Sequence, residues 1–145
     1  MPKIILAIDD DAARYDDFRS LLAKRNGSTA ELRIASCEAC ILAQLQVADV
    51  ILLDYDLDGR DWGWHRLCPL CEISLPERAK GIEYVPEIAE TKKPVLVVSA
   101  SYPENVDRLI AKLKAYDVQP LARHSANEIM PEYAWITTLW TWGIL

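Results

Sequence analysis

Oxygen and sulfur ligands mark two places in this chain where chemistry can be done. Asp9, Asp10 and Asp11 follow an apolar run at 3–8, Asp54 ends the run Val50-Ile51-Leu52-Leu53, Asp56 lies two residues further on, and Ser99 ends the run 94–98. Runs apolar on both faces read as central strands of a parallel sheet, whose C-terminal ends open on one edge where ligands bind. Carboxylates gathered on that edge repel one another unless a cation lies between them, and hard oxygen ligands of this kind suit Mg²⁺. Taken singly, each acid does no more than solvate the start of a loop.

The sulfur set is Cys37-x-x-Cys40 and Cys68-x-x-Cys71, with 27 residues between the two pairs. Two CxxC pairs have the form of a Cys₄ zinc site, and His65 is a substitute ligand for one thiolate. Two other readings stand beside it: buried thiols that pack as small apolar groups, and a redox pair.

The elements that must position these groups alternate. A first strand at 3–8 leads to a helix at 12–25, stopped at Asn26-Gly27. A short strand at 31–35 precedes a second helix, with Ser36 as its N-cap and Glu38 in its first turn, running to about 46. The third strand is 50–54. Residues 60–80, entered at Gly59, then interrupt the rhythm with Gly63, two prolines, three arginines, two tryptophans and two cysteines, as an elaborated insertion. A helix at 81–90 follows, in which Pro86 sits in the first turn or breaks the helix. A strand at 94–99, a helix at 104–116, a weak fifth strand at 118–122 containing Pro120 and a last helix at 131–142 complete the chain. Strands alternating with helices predict an α/β three-layer sandwich with a five-stranded parallel sheet.

The 145 residues suit one domain spanning 1–145, and 51% hydrophobic with 26% charged residues is an ordinary globular composition. A net charge of −6 argues against a basic grip on nucleic acid. No apolar run approaches the roughly 20 residues of a membrane helix, so no membrane partner is expected and a cytoplasmic location is the default. In the C-terminal segment, Trp135, Trp140 and Trp142 occupy more than one helical face, which predicts an aromatic patch beyond what the sheet covers.

The acids and hydroxyl, in this order, resemble the response-regulator receiver domain over most of the chain. Asp9 and Asp10 look like that family's Mg²⁺-holding acidic pair, Asp54 like its phosphoacceptor, Asp56 like the residue whose backbone carbonyl ligates the metal, and Ser99-Ala100 like its hydroxyl-then-alanine. Gly59, or Gly81 if the residues between are an insertion, resembles the glycine before the third helix. The resemblance implies strand order 2-1-3-4-5 and phosphoryl transfer to Asp54 from a histidine kinase, a phosphotransfer protein or a small phosphodonor; with the sequence ending after the last helix, the expectation is a single-domain receiver acting through a downstream protein partner. It also implies a homodimer through the helix 4 to helix 5 face. The family's lysine at the end of strand 5 is missing, Arg123 being the stand-in, and Leu121 fills the place of its switch aromatic. Two alternatives follow: a degenerate receiver used as a protein-interaction module, and a metal-dependent phosphoesterase. The second rests on a looser similarity to receiver-like domains of cyclic-phosphate processing, through Asp54-Tyr55-Asp56-Leu57 and His124-Ser125-Ala126-Asn127.

Overall fold

Strict alternation of side chains along buried strands splits the apolar residues into two cores. Ile5, Ala7, Val50, Leu52, Leu96 and Val98 point to one face of the sheet, while Leu6, Ile8, Ile51, Leu53, Val95 and Val97 point to the other. A computed structural model describes residues 2–24, 30–58, 66–125 and 131–145. Its strands are β1 (Lys3–Ile8), β2 (Ala30–Ala35), β3 (Val50–Leu53), β4 (Val95–Ser99) and β5 (Arg123–Ser125), all parallel, in the order β2-β1-β3-β4-β5. The helices are α1 (Asp16–Lys24), α2 (Glu38–Leu45), α3 (Val85–Thr91), α4 (Pro103–Ala115) and α5 (Pro131–Thr141).

α1 and α5 cover the first face, where Phe18, Leu22, Trp135, Ile136 and Leu139 meet the sheet and Tyr15, Phe18 and Trp135 pack ring against ring. α2, α3 and α4 cover the second through Ile41, Leu45, Ile88, Leu109 and Leu113. The expected three-layer α/β sandwich and its strand order are therefore present. Among the described residues no helix is long and apolar enough to cross a membrane.

Several boundaries differ from those read in the sequence. The first helix opens as a 3-10 turn over Ala12–Tyr15. Cys37, not Ser36, occupies the N-cap of α2. Pro86 sits in the first turn of α3, where its missing N–H costs nothing. The largest shift is in the fifth strand, which pairs over Arg123–Ser125 rather than 118–122. Asp117 takes the left-handed conformation at φ 61° and the Val118 N–H closes back on Leu113 O at 2.9 Å, so both residues are spent on ending α4. Pro120 then offers no N–H to a ladder, and contact with β4 begins only at Leu121 N–H to Val95 O, 2.8 Å. The helix stop at Asn26-Gly27 lies outside the described residues, as do Gly59, Arg60, Asp61, Gly63, His65, Ala126 and Asn127.

Candidate functional site

Two backbone hydrogen bonds align the strand ends. The Asp9 N–H donates to Ala35 O and the Asp54 N–H to Ile8 O, each at 3.1 Å. The acids that leave β1 and β3 are thus brought side by side: carboxylate oxygens of Asp9, Asp10 and Asp54 lie within 4.8 Å of one another. Asp9 is wholly buried and Asp54 is 3% exposed. Burial and the charge of Asp54 push Asp9 well above the usual carboxylate range, opposed by Arg14. Burial also raises Asp54, again opposed by Arg14. Asp10 is pushed up to about 7 by burial and by Asp9.

Arg14 is the side chain that the sequence reading missed. Its Nη1 donates to Asp9 Oδ2 at 2.7 Å and to Asp54 Oδ2 at 3.1 Å. The Tyr15 hydroxyl donates to the same Asp9 oxygen at 2.8 Å, and the Asp11 N–H to Asp9 Oδ1 at 3.0 Å. The only signal in the sequence is a cation one turn beyond the acids. It becomes informative once a 3-10 turn, rather than an α-helix, is known to begin at Ala12. The second Asp54 oxygen, Oδ1, accepts the Tyr55 N–H at 2.8 Å.

The walls of the pocket come from β4 and from the return of the insertion. Ser99, 3% exposed at the end of β4, helps to hold the Asp54 carboxyl down against the effect of burial, and its Oγ accepts the Ser101 N–H at 3.1 Å. The Asp56 carboxylate pairs with Lys80 Nζ at 2.7 Å, and the two residues form an antiparallel bridge. Gly81 follows, its N–H donating to Tyr55 O at 2.6 Å. A Cβ on Gly81 would lie 1.9 Å from the Asp54 carbonyl oxygen, so no other residue fits without displacing the backbone. It opens the 3-10 turn Gly81–Tyr84 that leads into α3, and of the two candidate glycines it is the one seen to fill that place. Arg66 reaches Asp11 at 3.4 Å.

Arg123 does not join the acids. It sits opposite Val97, two residues short of the strand end, and its Nη1 donates to Asp107 of α4 at 2.6 Å on the surface. The later start of β5 is the cause, and the guanidinium found beside Asp54 is that of Arg14. His124 meets Thr138 Oγ1 of α5 at 3.0 Å, which places the described part of the His-Ser-Ala-Asn string against α5.

The four cysteines also converge, with sulfurs within 4.8 Å of one another and no disulfide between them. Cys37 and Cys68 are buried, Cys40 and Cys71 partly so. Backbone N–H groups of Ile73 and Ser74 hold the Cys71 thiol down to about 6, and N–H groups around Cys68 lower it against the opposing effect of burial. Burial pushes Cys37 and Cys40 up.

No family model matches the chain, and no curated protein matches it in sequence. Solved structures match its fold. The N-terminal domain of a response regulator/sensory box/GGDEF three-domain protein from Carboxydothermus hydrogenoformans superposes with a TM-score of 0.63 at 17% identity, covering 96% of this chain and 92% of that one. A CheY-like receiver domain from Methanospirillum hungatei JF-1 gives 0.60 at 18%, covering 97% and 94%. The phosphorylated cyanobacterial phytochrome response regulator RcpA gives 0.59 at 18%, covering 95% and 89%. Nearly the whole chain therefore has the receiver-domain fold.

Proposed function

We propose that this chain, as a receiver-fold protein, is a response-regulator-like switch whose Asp54 accepts a phosphoryl group in the presence of Mg²⁺. The observation that carries this reading is the convergence of the Asp9, Asp10 and Asp54 carboxylates within 4.8 Å at the ends of adjacent strands. The donor set fits Mg²⁺: hard oxygens from neighbouring strands, with burial raising the proton affinity of all three acids. Asp9, Asp10 and Asp54 would hold it, with the backbone carbonyl of Asp56, and the ion would neutralise phosphoryl charge.

The chain's own part is nucleophile, anchor and switch. An Asp54 oxygen forms the new O–P bond as the donor's bond to phosphorus breaks, and the leaving group departs with that electron pair. The Tyr55 N–H fixes the carboxylate plane. Arg14, which binds Asp54 Oδ2, is positioned to follow charge from the carboxylate to the phosphoryl oxygens, and Ser99 to donate to one of them. Movement of Ser99 would pass to α4 through the turn that its Oγ holds at Ser101. The phosphodonor in this reading is a histidine kinase or phosphotransfer protein, and the output is a downstream protein partner. Trp140, at 60% exposed, and Tyr102 and Tyr116 mark the α4–α5 side for such a partner or for a homodimer.

The test is intact-mass analysis after acetyl phosphate with Mg²⁺. One phosphoryl adduct is expected, absent without Mg²⁺ and absent in Asp54→Asn. No adduct at saturating Mg²⁺ overturns the reading. A second reading is favoured by Arg14, whose guanidinium already neutralises Asp9 and Asp54: a phosphorylation-independent interaction module. It predicts unchanged partner binding in Asp54→Asn.

A further inference from the structure

We propose that Cys37, Cys40, Cys68 and Cys71 bind one structural Zn²⁺ that staples the insertion to the first turn of α2, beside the acidic pocket. Each pair is delivered by a different local structure. Cys37 is the N-cap of α2 in extended conformation, and Cys40 lies one helical turn on. Cys68-Pro69-Leu70-Cys71 forms a tight knuckle. In it the Glu72 N–H closes on Cys68 O at 2.8 Å, the Cys68 N–H closes on Ser74 O at 2.7 Å, and Glu72 adopts the left-handed region at φ 61°. A non-glycine residue in that conformation costs about 1 kcal/mol or more, which calls for a compensating interaction in the turn.

The sulfurs are arranged as a metal would need them. All four fall within 4.8 Å of one another, and Cys37 Sγ lies 3.8 Å from Cys71 Sγ. A tetrahedron with Zn–S bonds of about 2.3 Å has edges of about 3.8 Å. A disulfide would need two sulfurs at about 2.05 Å and would leave the other pair without purpose. The backbone is also turned toward the sulfurs. Cys68 faces N–H groups of Leu70, Cys71 and Ser36, the last at 3.4 Å. Cys71 faces those of Ile73 and Ser74, and Cys37 that of Cys40. Such donors spread the charge that four thiolates and one divalent cation leave over, the part that outer-shell groups play around metal ligands. Four protein sulfurs leave no open coordination position, so the ion is structural rather than catalytic.

Its consequence lies in what the insertion carries. Cys37 and Cys71 join segments 34 residues apart in sequence. From the knuckle the chain runs through Arg78, which bridges Glu38 of α2 and Glu87 of α3, each at 2.7 Å, to Lys80 and Gly81 at the wall of the acidic pocket. The staple therefore fixes the leg that presents Lys80 to Asp56. This inference does not depend on phosphorylation of Asp54.

The experiment uses the full chain, purified without chelator or polyhistidine tag. Elemental analysis should find one zinc per chain, and Co²⁺ exchanged into the site should show the intense visible bands of tetrahedral thiolate coordination. Cys68→Ser and Cys71→Ser should each weaken zinc binding by at least about 100-fold, more than loss of an outer-shell group does, while Asp54→Asn leaves it unchanged. Because a cysteine variant can fail to fold, hydrogen exchange is also read on the wild-type chain. Removing the metal should speed exchange in 66–80 and leave β1, β3 and β4 protected. Four thiols free to alkylation in native metal-free protein that shows no zinc affinity would overturn the proposal. So would a native disulfide, or metal removal that leaves exchange in 66–80 unchanged.

Discussion

The acidic pocket and the cysteine cluster lie on the same edge of the sheet, but they handle crowded anions in opposite ways. In the pocket, three carboxyls from β1 and β3 are pressed together by the sheet itself, and the chain supplies a cation of its own, Arg14. In the cluster, the sulfurs meet only because the insertion returns to α2, and the groups that lower the Cys68 and Cys71 thiols are backbone N–H donors. The first arrangement is imposed by strand register and tolerates a change of cation, which is what a switch requires. The second is created by its own closure and has no reason to open. One segment belongs to both, the leg from Cys71 to Gly81, so breaking it separates the two behaviours.

Gly81→Ala should have the largest effect. The new Cβ would lie 1.9 Å from the Asp54 carbonyl oxygen, which is backbone and cannot rotate away. The expected loss is about 3 kcal/mol, the upper part of the range for overpacking, read as a lower urea midpoint at unchanged m-value. The site should also lose Mg²⁺ response while the cysteine cluster keeps its reactivity pattern. A stability change below about 0.5 kcal/mol would show that the leg is not held against β3.

Arg14→Met tests the other half of the contrast. Removing one member of a buried ion pair costs about 3–5 kcal/mol when the partner must stay charged. Asp9 and Asp54 have their proton affinities raised by burial, so they can escape by binding protons, and the expected loss at pH 7 is nearer to about 2 kcal/mol. Saturating Mg²⁺ should recover more than half of it in thermal denaturation, because the ion takes over the same oxygens. If Mg²⁺ stabilises wild type and variant equally, Arg14 and the ion do not compete for them.

The different origins of the two regions also explain how much of each was legible in the sequence. Strands buried on both faces read as apolar runs whatever surrounds them, so β1, β3 and β4, and with them Asp9, Asp54 and Ser99, could be placed from local pattern alone. β5 has only a short, half-exposed pairing, and the apolar Val118 and Leu121 drew the strand toward residues that in fact end α4 and approach β4. That displacement made Arg123 look like the pocket's cation and hid Arg14, whose direction depends on a 3-10 turn that hydrophobic periodicity does not reveal. Choosing between Gly59 and Gly81 required the approach of a backbone oxygen, a tertiary fact. The cysteine spacing identified the pairs, but their meeting depends on the return path of the insertion, which no local pattern encodes.

The smallest expected effect concerns protons. Asp10, pushed up to about 7, has a folded pKa above its unfolded value of 3.8. Such a group favours folding most below its unfolded pKa and loses that contribution as pH climbs through its folded one, so the ion-free pocket should weaken the protein between about pH 4 and pH 7. Mg²⁺ reverses the trend because it binds the ionised carboxylate and displaces the proton. Its apparent affinity should therefore rise with pH and level off above about 7, with roughly a tenfold difference per displaced proton between pH 5 and pH 6, or about 1.4 kcal/mol, and a smaller one between pH 6 and pH 7. Calorimetric titration in buffers of different ionisation enthalpy measures both the affinity and the protons released. Arg14→Met should release more protons than the wild type at pH 8, because without the guanidinium the Asp9 and Asp54 carboxyls hold protons more tightly and more of them are protonated before Mg²⁺ binds. Equal release in both proteins would mean that Arg14 does not set the charge state of the pocket, and that the contrast between a self-neutralised pocket and a cysteine cluster closed by the insertion is drawn in the wrong place.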